Sequence, residues 1–135
     1  MEYTEKIVWL RRYRDGQRSQ RELEAELKEQ QEETCRVTSL LSFPFRDGGE
    51  EARNQQVLQS MWDVQRRLVN QIEECTAIRH EVENQINQVE DPLDREILRR
   101  RYLLGQQWKQ IAKSIPMDFR NVTKRHRRAV EQLPL

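Results

Sequence analysis

The sequence predicts an all-α protein: a long antiparallel helical hairpin, or coiled coil, followed by a C-terminal helix-turn-helix. Three observations point there. Of 135 residues, 35% are charged and 36% apolar, against roughly 25% and 45–50% in an average domain, so the chain cannot fill a wide core. Glycine and proline number four each, about half the usual share, which disfavours a turn-rich sheet protein. And Leu58, Met61, Gln65, Leu68, Ile72, Cys75, Arg79, Val82, Ile86 and Val89 follow one another in alternating steps of three and four, the spacing of a heptad seam.

Residues 2–34 place Tyr3, Ile7, Leu10 and Tyr13 at helical spacing, and Leu23 and Leu27 resume the stripe. This predicts a long helix, loosened near Gly16 where the sequence turns polar. Trp9 belongs to its core or to a partner contact, with core the favoured reading. The glutamates between 22 and 33 alternate with Gln and Lys, the pattern of a solvated helix face rather than of paired catalytic acids.

A loop is predicted over about 36–50, because Ser39–Gly49 contains Pro44 and the pair Gly48-Gly49. Leu40, Leu41, Phe43 and Phe45 within it either fold back onto a helix or dock another protein. Residues 51–90 then carry the heptad stripe, widened on one side by Val57, Val64 and Ile78, with Gln65 and Arg79 as its polar members. Such a helix must pair with something, either residues 2–34 or a second copy, and a homodimer through helix 57–89 is expected.

Asp91-Pro92 marks the next boundary. Proline suits a first helical turn, and an aspartate before it can cap. The predicted domains are therefore a helical arm, 1–90, and a DNA-binding unit, 91–135. In the second, Leu93, Ile97, Leu98, Tyr102 and Leu103 form one apolar stripe, and Gly105 stands just past a helix end, where a left-handed backbone is needed. Trp108, Ile111, Ala112 and Ile115 make the inward face of a short helix, with Lys109, Gln110 and Lys113 outward. Ser114–Asp118 forms a turn, with Asp118 as N-cap of a final helix that buries Val122, Ala129, Val130 and Leu133. A short helix, a tight turn and a basic helix are the sequence form of a helix-turn-helix.

Charge supports a polyanionic partner. Residues 1–93 hold 13 Lys/Arg and 19 Asp/Glu, net −6, while residues 94–135 hold 11 and 4, net +7. A basic segment on an otherwise acidic chain is an electrostatic footprint for nucleic acid. On the final helix, Arg120, Asn121 and Lys124 occupy the first turns, where base edges come within reach, and Arg127 and Arg128 lie farther along, toward phosphates. Thr123 shares that outward side. Gln107 and Lys109 are expected to hold phosphates from the preceding helix, and His126 is a further candidate phosphate contact. Phe119 packs beneath the turn or touches a thymine methyl. His80 should face solvent.

Catalytic and metal sites are not expected. Cys35 and Cys75 have no Cys or His at ligand spacing and read as reduced thiols of a cytoplasmic protein. No Gly-rich phosphate loop calls for a cofactor, and no apolar run is long enough for a membrane.

Over Asp94–Leu133 the pattern resembles region 4 of sigma-70-type factors, through Arg101-Tyr102 before Gly105, Ile111-Ala112, Val122, and Arg128-Ala129-Val130 before Leu133. Three positions depart from it. Pro116 replaces the usual glycine of the turn, Arg125 takes an apolar position, and Arg120 and Lys124 stand where acidic and glutamine base readers are usual, so a different DNA sequence is expected to be read. The whole chain looks like the phage transcriptional regulators of the ArpU/RinA type, through Trp9-Leu-Arg-Arg-Tyr13, the mid-loop, Val89-Glu-Asp-Pro92, and Arg101-Tyr102…Gly105…Trp108…Ile111-Ala112. That resemblance implies a DNA-binding activator of late or packaging genes, acting on double-stranded DNA in a bacterial host cytoplasm. Two rivals remain: a DNA-packaging subunit like the small terminase proteins, which assemble rings, and a protein that uses its sigma-like part on RNA polymerase.

Overall fold

The computed structural model describes residues 1–40 and 48–135, all helical or connecting. Helix α1 spans Tyr3–Leu40 and α2 spans Gly48–Asn87. Helix α3, Pro92–Leu98, continues into a π-helical stretch, Arg99–Leu103, and is followed by α4, Trp108–Ser114, and α5, Phe119–Gln132.

Some expected boundaries shift. α1 passes through Gly16 without a break, because one glycine costs a helix only about 1 kcal/mol. The predicted loop narrows: α1 extends to Leu40, and Gly48-Gly49 open α2, a position where glycine is tolerated. Of the candidate docking residues Leu40, Leu41, Phe43 and Phe45, the first ends α1 and the other three lie outside the described residues.

Packing divides the chain into two units that do not separate at residue 91. One comprises Met1–Gln17 with Glu74–Leu135, the other Arg18–Glu73. The first unit therefore contains the ends of both long helices together with α3–α5. The physical reason is its main core. Leu10 and Tyr13 of α1, Val82 and Ile86 of α2, Leu98, Tyr102 and Leu103, and Ala129, Val130 and Leu133 of α5 bury one another in a single cluster, with Trp9 partly buried against it. A smaller cluster, Ile97, Ile111, Ile115 and Val122, fastens α3, α4 and α5 together. Within this unit α1 and α2 run antiparallel, since Arg12 reaches Glu81 at 2.6 Å and Arg79 donates to the Tyr13 hydroxyl at 3.5 Å.

The second unit is a pair of helical segments linked at the surface by Arg67 and Glu26, 3.3 Å apart. Among its described residues Val64 is the apolar side chain that is buried. The heptad seam is not one interface. Cys75, Val82 and Ile86 are buried, but Leu58 and Ile72 are exposed, as are Gln65 and Arg79. Val64, placed on the flank by the sequence reading, takes the inward position instead. A straight helix turns 100° per residue, so a 3.5-residue seam drifts off a single partner over five heptads.

Candidate nucleic-acid interface

Local signals build the frame. The Asp91 carboxylate accepts from the Leu93 amide at 2.9 Å and the Asp94 amide at 3.4 Å, capping α3. The Leu93 bond in particular holds that carboxyl below its usual pKa. At the far end Gly105 has φ of +69°, and the Gln106 amide returns to the Arg100 carbonyl at 2.9 Å. A side chain at Gly105 would also run into the Arg14 guanidinium. Gln107 precedes α4, its amide bound by the Gln110 side chain at 3.0 Å. Ile111 and Ile115 are buried, and Lys109, Gln110 and Lys113 are exposed. Asp118 occupies the N-cap position of α5, but its side chain makes no capping bond, and its carbonyl accepts from Val122 at 3.0 Å.

Long-range contacts seat α5. Asp94, almost fully buried, accepts from Arg125 at 3.2 Å and from Arg128 at 3.2 Å. Arg125 also reaches Asp91 at 3.5 Å, so the polar residue at a usually apolar position has two carboxylates to meet it. Lys6, buried on α1, donates to the Glu131 carbonyl at 2.9 Å and the Leu133 carbonyl at 2.7 Å. An ammonium there satisfies carbonyls that a helix end leaves unpaired and complements the negative end of its dipole.

His126 is not a phosphate contact. It is 4% exposed and its Nε2 lies 2.6 Å from the Tyr102 hydroxyl. Trp108 meets it edge-on at 4.6 Å between ring centroids. Burial first, then the nearby Arg101 and Arg11 charges, lower its pKa to about 4. The ring is therefore neutral at pH 7, and burial pushes the Tyr102 hydroxyl well above its usual range.

The remaining candidates separate by what already holds them. Arg127 binds Glu131 at 3.1 Å and lies 4.9 Å from the centre of the Tyr3 ring. Arg128 is tied to Asp94 but keeps 57% of its side chain exposed. The Thr123 hydroxyl donates back to the Phe119 and Arg120 carbonyls, at 3.1 and 3.0 Å. Phe119 does not pack beneath the turn; it is 52% exposed. Arg120, Asn121, Lys124 and Lys109 are exposed, and their side chains form no hydrogen bond or ion pair among the described residues. At 100° per residue Arg120, Lys124 and Arg127 share one outward line of α5, with Asn121 and Arg128 on the next.

Sequence reading missed Lys6, Tyr3 and Arg11, which stand beside α5 from the other end of the chain, and Arg101, whose partners Gln106 and Trp108 are brought to it by the Gly105 turn. The only local hint was that Lys6 and Arg11 flank an apolar stripe. No described helix is long and apolar enough to cross a membrane. Comparison with protein-family models, curated proteins and solved structures finds no match to this chain.

Proposed function

We propose that this protein is a sequence-specific DNA-binding transcription regulator, with α4, the 115–118 turn and α5 acting as a helix-turn-helix and α5 as the helix that enters the major groove. One observation carries the reading: the cations and amide at the start of α5, Arg120, Asn121 and Lys124, are exposed and unpaired among the described residues, whereas Arg125, Arg127 and Arg128 farther along are tethered by carboxylates. A recognition helix needs that division. Free donors at its N-terminal turns reach base edges, and its far end is held in register. Arg120 or Lys124 suits guanine O6 and N7, and Asn121 suits adenine. Lys109, Arg127 and Arg128 hold phosphates, the last two through the guanidinium donors their carboxylates leave free.

By resemblance to the ArpU/RinA type, the regulator is phage-encoded and activates late or packaging genes in the bacterial cytoplasm; it performs no catalysis. The exposed apolar residues of α2 support a homodimer: Leu58, Trp62, Val69 and Ile72 lie on one face of the Arg18–Glu73 unit. The test is selection from a random duplex library followed by anisotropy titration. Enrichment of one motif, bound at least about a thousandfold more tightly than random DNA, supports the proposal. Failure to enrich any sequence counts against it.

A further inference from the structure

Between the first turns of α1 and the flank of α5 lies an open groove of about 700 Å³. Its lining includes Arg11, Arg101, Lys124 and Arg127, the rings of Tyr3 and Trp108, and none of its twelve residues is acidic. In a chain with 24 basic and 23 acidic residues, four cations converging without a carboxylate is not an average surface. The groove beside α3 shows the contrast: Arg128 lines it with Glu90, Asp91 and Asp94.

Two of the three guanidiniums are held in place by aromatic faces. Arg101 lies 4.6 Å from the Trp108 ring centre and spends one N–H on the Gln106 carbonyl at 3.1 Å. Arg127 sits over Tyr3, its Nε on Glu131. A guanidinium has five donors, so each keeps N–H groups free, and stacking reduces the rotamer entropy lost when an anion binds. Arg11 and Lys124 are exposed, with no ion pair among the described residues. The floor is the buried, hydrogen-bonded Tyr102–His126 pair, which bears no negative charge.

We propose that this groove seats a phosphodiester strand of the duplex, so that α1, outside the helix-turn-helix, forms the second wall of the DNA interface. This rests on the DNA-binding reading of α5 and extends it to a residue more than eighty positions away in sequence from the nearest helix of that motif. Phosphates suit the site because stacked guanidiniums offer planar paired donors, and because the backbone strand beside a groove-bound helix is the nearest anion to that helix's flank.

The probe is a fluorescein-labelled 30-base-pair duplex of random sequence, since phosphate contacts ignore base identity. It is titrated by anisotropy from 50 to 200 mM salt with the full chain, Arg11→Ala, Arg11→Lys, and Arg66→Ala, in the other unit, as a charge control. The expected result is a several-fold loss for Arg11→Ala, with the slope of log affinity against log salt shallower by about 0.9. Arg11→Lys should keep the wild-type slope, and Arg66→Ala should change neither quantity. Melting of each variant checks that the exposed substitutions leave the fold intact. A wild-type chain that binds duplex, with Arg11→Ala matching it in affinity and slope, overturns the groove alone. A wild-type chain that binds no duplex at 50 mM salt overturns the proposed function as well.

Discussion

At the scale of single residues, the division between free and tethered side chains on α5 sets distinct expectations. Arg120→Ala should weaken binding to the selected motif by about 1–3 kcal/mol and relax preference at one base pair, leaving random DNA less affected. Arg128→Ala should weaken every duplex alike. It should also cost little stability, because Asp94 keeps Arg125 at 3.2 Å. Parallel anisotropy titrations on motif and random duplexes distinguish the two, and equal losses on both DNAs for Arg120→Ala would remove it as a base reader. His126 sets a stability expectation with a definite sign. Its pKa falls from 6.5 unfolded to about 4 folded, chiefly by burial, so the unfolded chain binds the extra proton first. Stability from this group is complete above pH 6.5, declines as pH drops toward 4, and is lost below it, a total on the order of 3 kcal/mol. Urea midpoints at pH 7, 5.5 and 4 should show the decline in the wild type and a much flatter trend in His126→Phe. Parallel trends would mean that the ring is not sealed from solvent.

At the scale of elements, α5 is an amphipathic helix whose two ends are fixed by different means: packing of Val122 on Ile111 and Ile115 near its start, and the Lys6 ammonium at its finish. Lys6→Ala leaves two carbonyls without their charged donor, and should cost about 1.5–3 kcal/mol in urea unfolding. An unchanged midpoint would mean that water replaces the ammonium freely. Gly105→Ala should cost about 1–2 kcal/mol for its left-handed backbone. These two predictions mark what was legible beforehand. The Asp91 cap, the Gly105 turn and the inward faces of α4 and α5 are local patterns, carried by side-chain type at fixed offsets, and the sequence displays them. Lys6 on α5, the Tyr102–His126 pair and the Asp94 pairings join residues 24 to 127 positions apart. No local periodicity encodes such contacts, so His126 read as a candidate phosphate contact, and the sequence did not display the tie of Arg128 to Asp94. The heptad stripe was legible as a helix, but not which of its members are buried, because that depends on what lies across from each turn.

At the scale of the whole molecule, the residues the heptad leaves outside decide how many chains act together. In the Arg18–Glu73 unit the inward position belongs to Val64, 1% exposed, while Leu58, Trp62, Val69 and Ile72 remain 40–62% exposed. Two helices with so little buried apolar surface are marginal alone, and two such hairpins packed together make a four-helix bundle, which supplies the missing burial. The exposed set is also symmetric about Gln65, with Leu58 and Ile72 seven residues to either side and Trp62 and Val69 three and four away. A stripe symmetric about its middle suits an isologous two-fold contact with the helices antiparallel, so that Leu58 of one chain meets Ile72 of its partner. Sedimentation equilibrium of the intact chain should then give a dimer, and Val69→Glu should shift it toward monomer. An assembly of about eight or more subunits would instead favour the packaging reading. Orientation follows from one cysteine at a time added to a Cys35→Ser background, in which the remaining Cys75 is buried. Gln65→Cys should oxidise to a linked dimer, whereas Leu58→Cys should link only when mixed with Ile72→Cys. Self-linking of Leu58→Cys alone would mean parallel helices. A two-fold dimer of DNA readers requires an inverted-repeat target, so a selected motif without dyad symmetry would contradict the antiparallel pairing even if the dimer itself stood.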